Sequence, residues 1–212
     1  MLASLVVSIS AVVCLLVAEW ADSKLARGAA KMSAASAFVA MALACGALDS
    51  TFGQIMLAGF VLCWIGDACL LSSGHSTGFL LGIAAFLLGH VAYAVAFHRL
   101  GLDPAGLAIG AVVMAGFGFA MIRWLRPHLP YDFRIPVWSY LGVISLMVVA
   151  SIGAAGAGAS PLFVVGAVAF AISDVFVARE RFVQTGFVNA GVGLPLYFGS
   201  QMLLAYSITL AV

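Results

Sequence analysis

Charge is what this sequence has least of. Only 8% of its 212 residues are Asp, Glu, Lys or Arg, against about a quarter in an ordinary soluble domain. Such a chain cannot clothe a water-facing surface, which excludes a soluble globular fold. Long polar breaks are missing too. Apolar stretches are separated only by short turns such as Asp49-Ser50, Ser72-Ser73-Gly74-His75, Leu102-Asp103-Pro104 and Ser160-Pro161, so no linker divides the chain into domains. The four cysteines (Cys14, Cys45, Cys63 and Cys69) have no C-x-x-C spacing and read as small core hydrophobes rather than disulfides or metal ligands. H-E-x-x-H does not occur, and no glycine loop precedes a basic residue. The one G-x-S-x-G string, Gly74-His75-Ser76-Thr77-Gly78, falls in a turn between two apolar spans and forms no strand-to-helix elbow. Zinc-hydrolase and serine-hydrolase chemistry therefore have no motif in the required setting, and no metal or other cofactor is expected. A net charge of +1 gives no reason to expect a nucleic-acid partner, and oligomeric state is left open.

What is present is hydrophobic sequence: 65% of residues, with a mean hydropathy of +1.19. Apolar stretches of about 20 residues recur from end to end, the length a helix needs to cross ~30 Å of hydrocarbon. Alternating segments of about ten residues, the mark of a membrane barrel, do not appear. The expected class is an all-α membrane protein, a single transmembrane domain over 1–212. Its eight spans fall near 2–20, 32–48, 54–73, 78–98, 105–125, 136–157, 160–178 and 186–210. Loops after the first, fifth and seventh spans, with their flanks, hold Lys24, Arg27, Lys31, Arg123, Arg126, Arg134, Arg179 and Arg181, eight of the nine basic residues, leaving only Arg99 opposite. The excess of Lys and Arg in cytoplasmic loops puts those loops inside and both termini on the non-cytoplasmic side. In a bacterium that membrane would be the inner one. The first span has no basic n-region and no small-residue cleavage site, so it reads as a retained helix. The 23 glycines, with spacings such as Gly78-x-x-x-Gly82 and Gly106-x-x-x-Gly110, suit close helix packing.

Against this apolar background a few polar residues stand out, because an ionisable group inside a span is costly and faces the bundle interior or a wet cavity. Asp67 lies in Cys63-Trp64-Ile65-Gly66-Asp67-Ala68-Cys69-Leu70, and Asp174 in Phe170-Ala171-Ile172-Ser173-Asp174-Val175-Phe176. The two are 107 residues apart, and each follows a glycine (Gly59, Gly166) by eight. Ile65 and Ile172 correspond, and Gly66 matches the small Ser173. Four spans separate the two segments, so they run the same way through the membrane, as two parallel four-helix halves would. Both aspartates then lie about 6–9 Å from the cytoplasmic end of an inward-running helix. Each could merely pin neighbouring helices. Together in one low-dielectric pocket they could not easily both ionise, and the pair would supply an acid beside a base.

Other candidates are weaker. Glu19 and Lys31 flank the first cytoplasmic loop and suit either an interfacial pair or a site role. His90 falls about 18 Å into its span and shares a helical face with Gly82, Phe86, Tyr93 and Phe97; packing is the simpler reading, and an orienting role the other. Asn189, Gly193, Tyr197 and Gln201 recur every four residues along the last span, a polar stripe that must face the interior. Tyr140 and Ser173 could join it.

These segments resemble the YhhN-like lysoplasmalogenase family of integral membrane proteins. Gly66-Asp67-x-x-Leu70 followed by Phe79-x-x-Gly82-x-x-x-Phe86-x-x-x-His90-x-x-Tyr93 is similar to its first signature. Gly166-x-x-x-Phe170-x-x-Ser173-Asp174-x-x-x-Ala178-x-x-x-Phe182 is similar to its second. Tyr197-Phe198-x-x-Gln201-x-Leu203 matches a Tyr-Tyr-x-x-Gln-x-Leu near the family's end, with Phe198 replacing the second tyrosine. Pro136-Val137-x-x-Tyr140 and Met147 also fit, while Lys31-Met32 stands where Lys-Pro is usual. The resemblance covers roughly residues 31–204. It implies an eight-helix hydrolase that cleaves the vinyl ether of a lysoplasmalogen, a lysophospholipid, to a fatty aldehyde and a glycerophospho-headgroup. It also implies that Asp67 and Asp174 are catalytic. Glu19, Lys31, His90, Tyr93, Tyr140, Ser173, Asn189, Tyr197 and Gln201 are the candidates for binding or orienting substrate, and Arg123, Arg126, Arg179 or Arg181 could meet the phosphate.

On the physics of the residues alone, two rivals stand beside this. Paired intramembrane acids and parallel repeats equally suit a proton-coupled small-molecule transporter, and a non-enzymatic lipid-binding protein needs the aspartates only as helix pins. Aldehyde production separates an ether hydrolase from both.

Overall fold

The computed structural model describes residues 1–71 and 77–211; the Ser72-Ser73-Gly74-His75 turn lies outside them. Eight α-helices follow one another: α1 Leu2–Trp20, α2 Lys24–Ala44, α3 Thr51–Cys69, α4 Thr77–Arg99, α5 Pro104–Leu125, α6 Tyr131–Gly156, α7 Leu162–Ala178 and α8 Phe187–Ser207. No strand occurs among the described residues. Six of these segments are long and apolar enough to cross a membrane: α1, α3, α4, α5 with the turn after it, α6, and α7 with the π-helical turn Arg179–Val183. The protein is a multi-pass helical membrane protein. The other two helices, α2 and α8, also carry polar side chains inward, Lys31 on α2 and Asn189, Tyr197, Ser200 and Gln201 on α8.

Helix ends follow local chemistry. Ser50 caps α3 by accepting the Gly53 N–H at 3.0 Å. Asp103 caps α5 by accepting the Gly106 N–H at 2.7 Å, with Pro104 in the first turn, where its missing N–H costs nothing. At the far ends of α2 and α6 the chain stops in the same way. Gly46 and Gly158 both take positive φ (+80° and +103°), and the next amide, Ala47 or Ala159, reaches back to the carbonyl of Ala42 or Ala154. That is a Schellman cap, which needs a residue tolerant of the left-handed region. Hydropathy places the second span at 32–48, whereas α2 begins at Lys24 and ends at Ala44. The helix includes these basic first turns, where Arg27 and Lys31 meet carboxylates, and the Gly46 cap stops it early.

Packing pairs α1 with α2, α3 with α4, α5 with α6 and α7 with α8; α4 also packs on α6, and α2 on α8. The main core joins Phe38, Phe60, Tyr93, Phe97, Met147, Phe163, Phe170 and Phe198 from six helices. Small residues permit the close approaches. A Cβ on Gly59 would meet the Tyr93 ring, and one on Gly106 would lie 2.9 Å from the Ile152 carbonyl oxygen. Gly66, just before Asp67, leaves room for the Phe86 ring, which a Cβ would approach to 2.6 Å. The glycine that marks the aspartate in sequence thus lets α4 close over it. Cys45 and Cys63 are buried in the core, as small hydrophobes are, but Cys14 is exposed on α1.

Candidate functional site

The C-terminal end of α3 and the last turn of α7 bring Asp67 and Asp174 to one cavity of about 690 Å³. At one end it is lined by Glu19, Trp20 and Arg27 from the α1–α2 corner, and by Glu180, Thr185 and Gly186 from the α7–α8 connection. Inward its walls become apolar, with Phe79, Ile83, Phe86, Phe117, Ile144 and Leu194, and the two carboxylates lie among them. The shape is an amphipathic slot, polar where the helices end and apolar within.

The two aspartates have different surroundings. Asp67 is 1% exposed. Its Oδ1 lies 3.2 Å from the Lys31 ammonium, and its Oδ2 accepts the Tyr197 hydroxyl at 2.7 Å. Lys31 is therefore no snorkelling interfacial residue; α2 delivers it inward to the carboxylate, with its side chain only 14% exposed. Behind Tyr197 the polar stripe of α8 continues. Gln201 donates to the Tyr197 oxygen at 3.4 Å, and its own carbonyl accepts the Tyr93 hydroxyl at 2.9 Å. Lys31, Asp67, Tyr197, Gln201 and Tyr93 form one connected chain across α2, α3, α8 and α4. Asp174 has a simpler environment: it accepts the Tyr140 hydroxyl from α6 at 2.8 Å, and among the described residues no cation pairs with it. Pro136 precedes Tyr140 by four residues and Pro195 precedes Tyr197 by two, each inside its helix. A proline there removes an intrahelical hydrogen bond just before the tyrosine.

The remaining candidates divide. Glu19 pairs with Arg27 at 3.1 Å and lines the mouth. Asn189 also lines the cavity and is held from three sides: it accepts from Arg179 and donates to Glu180 and to the Gln184 carbonyl. Ser173 faces the cavity but donates its hydroxyl to the Phe170 carbonyl a turn back. His90 does not line the cavity. It is fully buried, edge-on to the rings of Tyr140 (5.2 Å) and Phe170 (4.5 Å). Neither of its ring nitrogens has a hydrogen-bond partner, the Phe86 carbonyl one turn back lying near without the required geometry. His90 follows Asp67 by 23 residues and Tyr197 follows Asp174 by 23. Of the arginines considered for a phosphate, Arg181 lines the cavity with its guanidinium 3.9 Å over the Phe79 ring. Arg179 is turned to Asn189 and Gln184, and Arg123 and Arg126 line a separate cavity. Sequence reasoning missed Arg27 and Glu180. Both are ordinary charged residues at helix ends, and nothing in their spacing distinguishes them from solvated ones. Among the described residues no three His, Cys, Asp or Glu side chains gather as metal ligands would.

Fold and site together define a polytopic membrane protein with two carboxylates, one buried and one half-buried, lining a single amphipathic cavity. The chain belongs to the YhhN family, whose profile matches residues 3–208. It is 29% identical over 154 residues to lysoplasmalogenase TMEM86B of Sus scrofa, covering 72% of this chain and 63% of that one. With the lysoplasmalogenase of Mycobacterium bovis it shares 29% identity over 185 residues, covering 83% and 68%. A 146-residue stretch is 32% identical to an apolipoprotein N-acyltransferase of Brucella suis but covers only 24% of that longer protein. The chain spans under two thirds of the length of the mammalian relatives it matches. No solved structure matches it.

Proposed function

We propose that this protein is a membrane-embedded ether hydrolase that cleaves the vinyl ether of a lysoplasmalogen or a related lysolipid. One observation carries the reading: two carboxylates with opposite electrostatic surroundings share one amphipathic cavity. The family membership and the names of the relatives agree with it. A lysolipid placed headgroup outward would set its glycerol near Arg27 and Arg181, and its enol ether beside the aspartates.

One ammonium serves two carboxylates, so charge balance leaves the negative charge on Asp67, between Lys31 and Tyr197, and the proton on Asp174. Asp174 passes that proton to the β-carbon of the double bond. The ether-bearing carbon becomes an oxocarbenium ion, which the Asp67 carboxylate faces, the division of roles glycosidases use on a related cation. Water adds to that carbon and gives its proton to Asp67. In the hemiacetal, Asp174 reclaims the hydroxyl proton while Asp67 protonates the departing glycerol oxygen. Aldehyde and glycerophospho-headgroup leave, and both carboxyl groups are back where they began. His90, Tyr93, Tyr140, Ser173, Asn189, Tyr197 and Gln201 are assigned to holding the pair and its substrate rather than to proton transfer.

We further propose eight crossings, with both termini non-cytoplasmic and the cavity opening to the cytoplasmic leaflet, in the inner membrane if the source is bacterial. The basic-residue asymmetry supports this orientation. The matching Schellman caps of α2 and α6, the α3–α4 and α7–α8 pairings and the paired 23-residue spacings support two parallel four-helix halves. The deciding experiment incubates purified protein with 1-alkenyl lysophosphatidylethanolamine and measures fatty aldehyde, with the saturated alkyl ether as control. Aldehyde from the alkenyl lipid alone is expected, since the alkyl ether has no carbon to protonate. No aldehyde above the buffer rate would refute the activity.

A further inference from the structure

Three arginines are left without a task by the reading above. Arg123 lies in the last turn of α5, Arg126 opens the short 3₁₀ turn Arg126–His128, and Arg134 lies in the first turn of α6. They converge on a second cavity of about 500 Å³, which they line with Phe119, Ile122 and Pro127. Their counterparts near the first cavity have partners: Arg27 binds Glu19 and Asp22, Lys31 binds Asp67, and Arg179 binds Asn189 and Gln184. Among the described residues these three form no ion pair; Arg134 lies 5.6 Å from the ring of Tyr131. Asp132, the nearest acid in sequence, bridges to none of them and does not line the cavity.

The setting says what such a cluster can hold. α5 packs chiefly on α6 alone, at the edge of the bundle, and presents an apolar stripe outward: Ile109, Val112, Val113, Phe119 and Ile122, with Phe119 70% exposed. That stripe runs straight into the arginines. A ligand matching both features has a phosphate at one end and an acyl chain lying back along the helix. Guanidinium groups bind phosphate oxygens with paired donors, and basic pockets between transmembrane helices suit anionic headgroups.

We propose that the Arg123–Arg126–Arg134 cavity is a binding site for an anionic phospholipid of the surrounding leaflet, separate from the carboxylate cavity. It does not rest on the ether-hydrolase reading, and the test uses no turnover. Protein purified in neutral detergent is melted with added phosphatidylglycerol, with phosphatidylcholine, or with inorganic phosphate. Phosphatidylglycerol should raise the melting temperature, because a ligand that binds only the folded state stabilises it; phosphatidylcholine and phosphate should not. The rise should vanish at about 1 M salt, where screening acts within ~3 Å. It should also vanish in the triple variant R123Q/R126Q/R134Q, whose melting without lipid stays unchanged because all three side chains are exposed. If the triple variant melts early, R126Q alone, which should lose most of the rise, decides. An equal rise with phosphatidylcholine, or one that survives the substitutions, overturns the site. A full rise with inorganic phosphate alone overturns the lipid as its occupant.

Discussion

Lys31 changes what each aspartate variant should do. Asp67→Asn removes the charge that Lys31 faces at 3.2 Å, and leaving a buried cation unpaired costs of the order of 3 kcal/mol. That variant should therefore lose both turnover and melting temperature. Adding Lys31→Met should restore much of the melting temperature and none of the activity. Asp174→Asn has no cation to strand and keeps a partner for Tyr140. It should lower turnover by at least ~10²-fold, the lower end for loss of a general acid or base, with melting unchanged. Aldehyde assays and thermal melts on the four proteins check this; normal turnover in either single aspartate variant removes that carboxylate from the chemistry. The pH–rate profile of the wild type should be bell-shaped, its two limbs belonging to the coupled pair rather than to either residue.

At the scale of elements, the site depends on how closely α3 meets α4. Gly59 sits under the Tyr93 ring, and Tyr93 anchors Gln201, which in turn reaches Tyr197. Gly59→Leu should push the helices apart and destabilise by about 1–3 kcal/mol, as overpacking does, and should depress turnover through the shifted tyrosines. Gly116→Ala on α5 is the matched control, because nothing lies within 4 Å of the added carbon. It should melt at or slightly above the wild-type temperature, alanine being the better helix former by about 1 kcal/mol. Thermal melts in one detergent compare the two. Equal effects would mean that the α3–α4 approach is not what holds the site.

For the whole molecule, orientation decides which leaflet supplies the substrate. In a cysteine-free background, single cysteines at Ser23 and His128 should react with an impermeant thiol reagent only after cells are opened. A cysteine at Asp49, on the α2–α3 turn, should react from outside. Reversed labelling would move the cavity mouth to the opposite leaflet, and both proposed lipid sites with it.

Composition and run length together determined that this is a helical membrane protein: 65% apolar and 8% charged residues admit no water-facing surface, and apolar runs of about 20 residues are the length of a membrane helix. The two aspartates were legible for the same reason: an ionisable group inside an apolar run is too costly to be incidental. The polar stripe of Asn189, Tyr197 and Gln201 was legible as periodicity, since a helix repeats its face every three to four residues. Partnership was not legible. Asp67 meets Tyr197 across 130 residues and Tyr93 meets Gln201 across 108, and no local pattern encodes which helices become neighbours. Nor could sequence say that Lys31 turns inward to one aspartate while Asp174 is left without a cation. The side chain is long enough to point to water or to carboxylate, and only the packing of α2 against α3 and α8 decides between them.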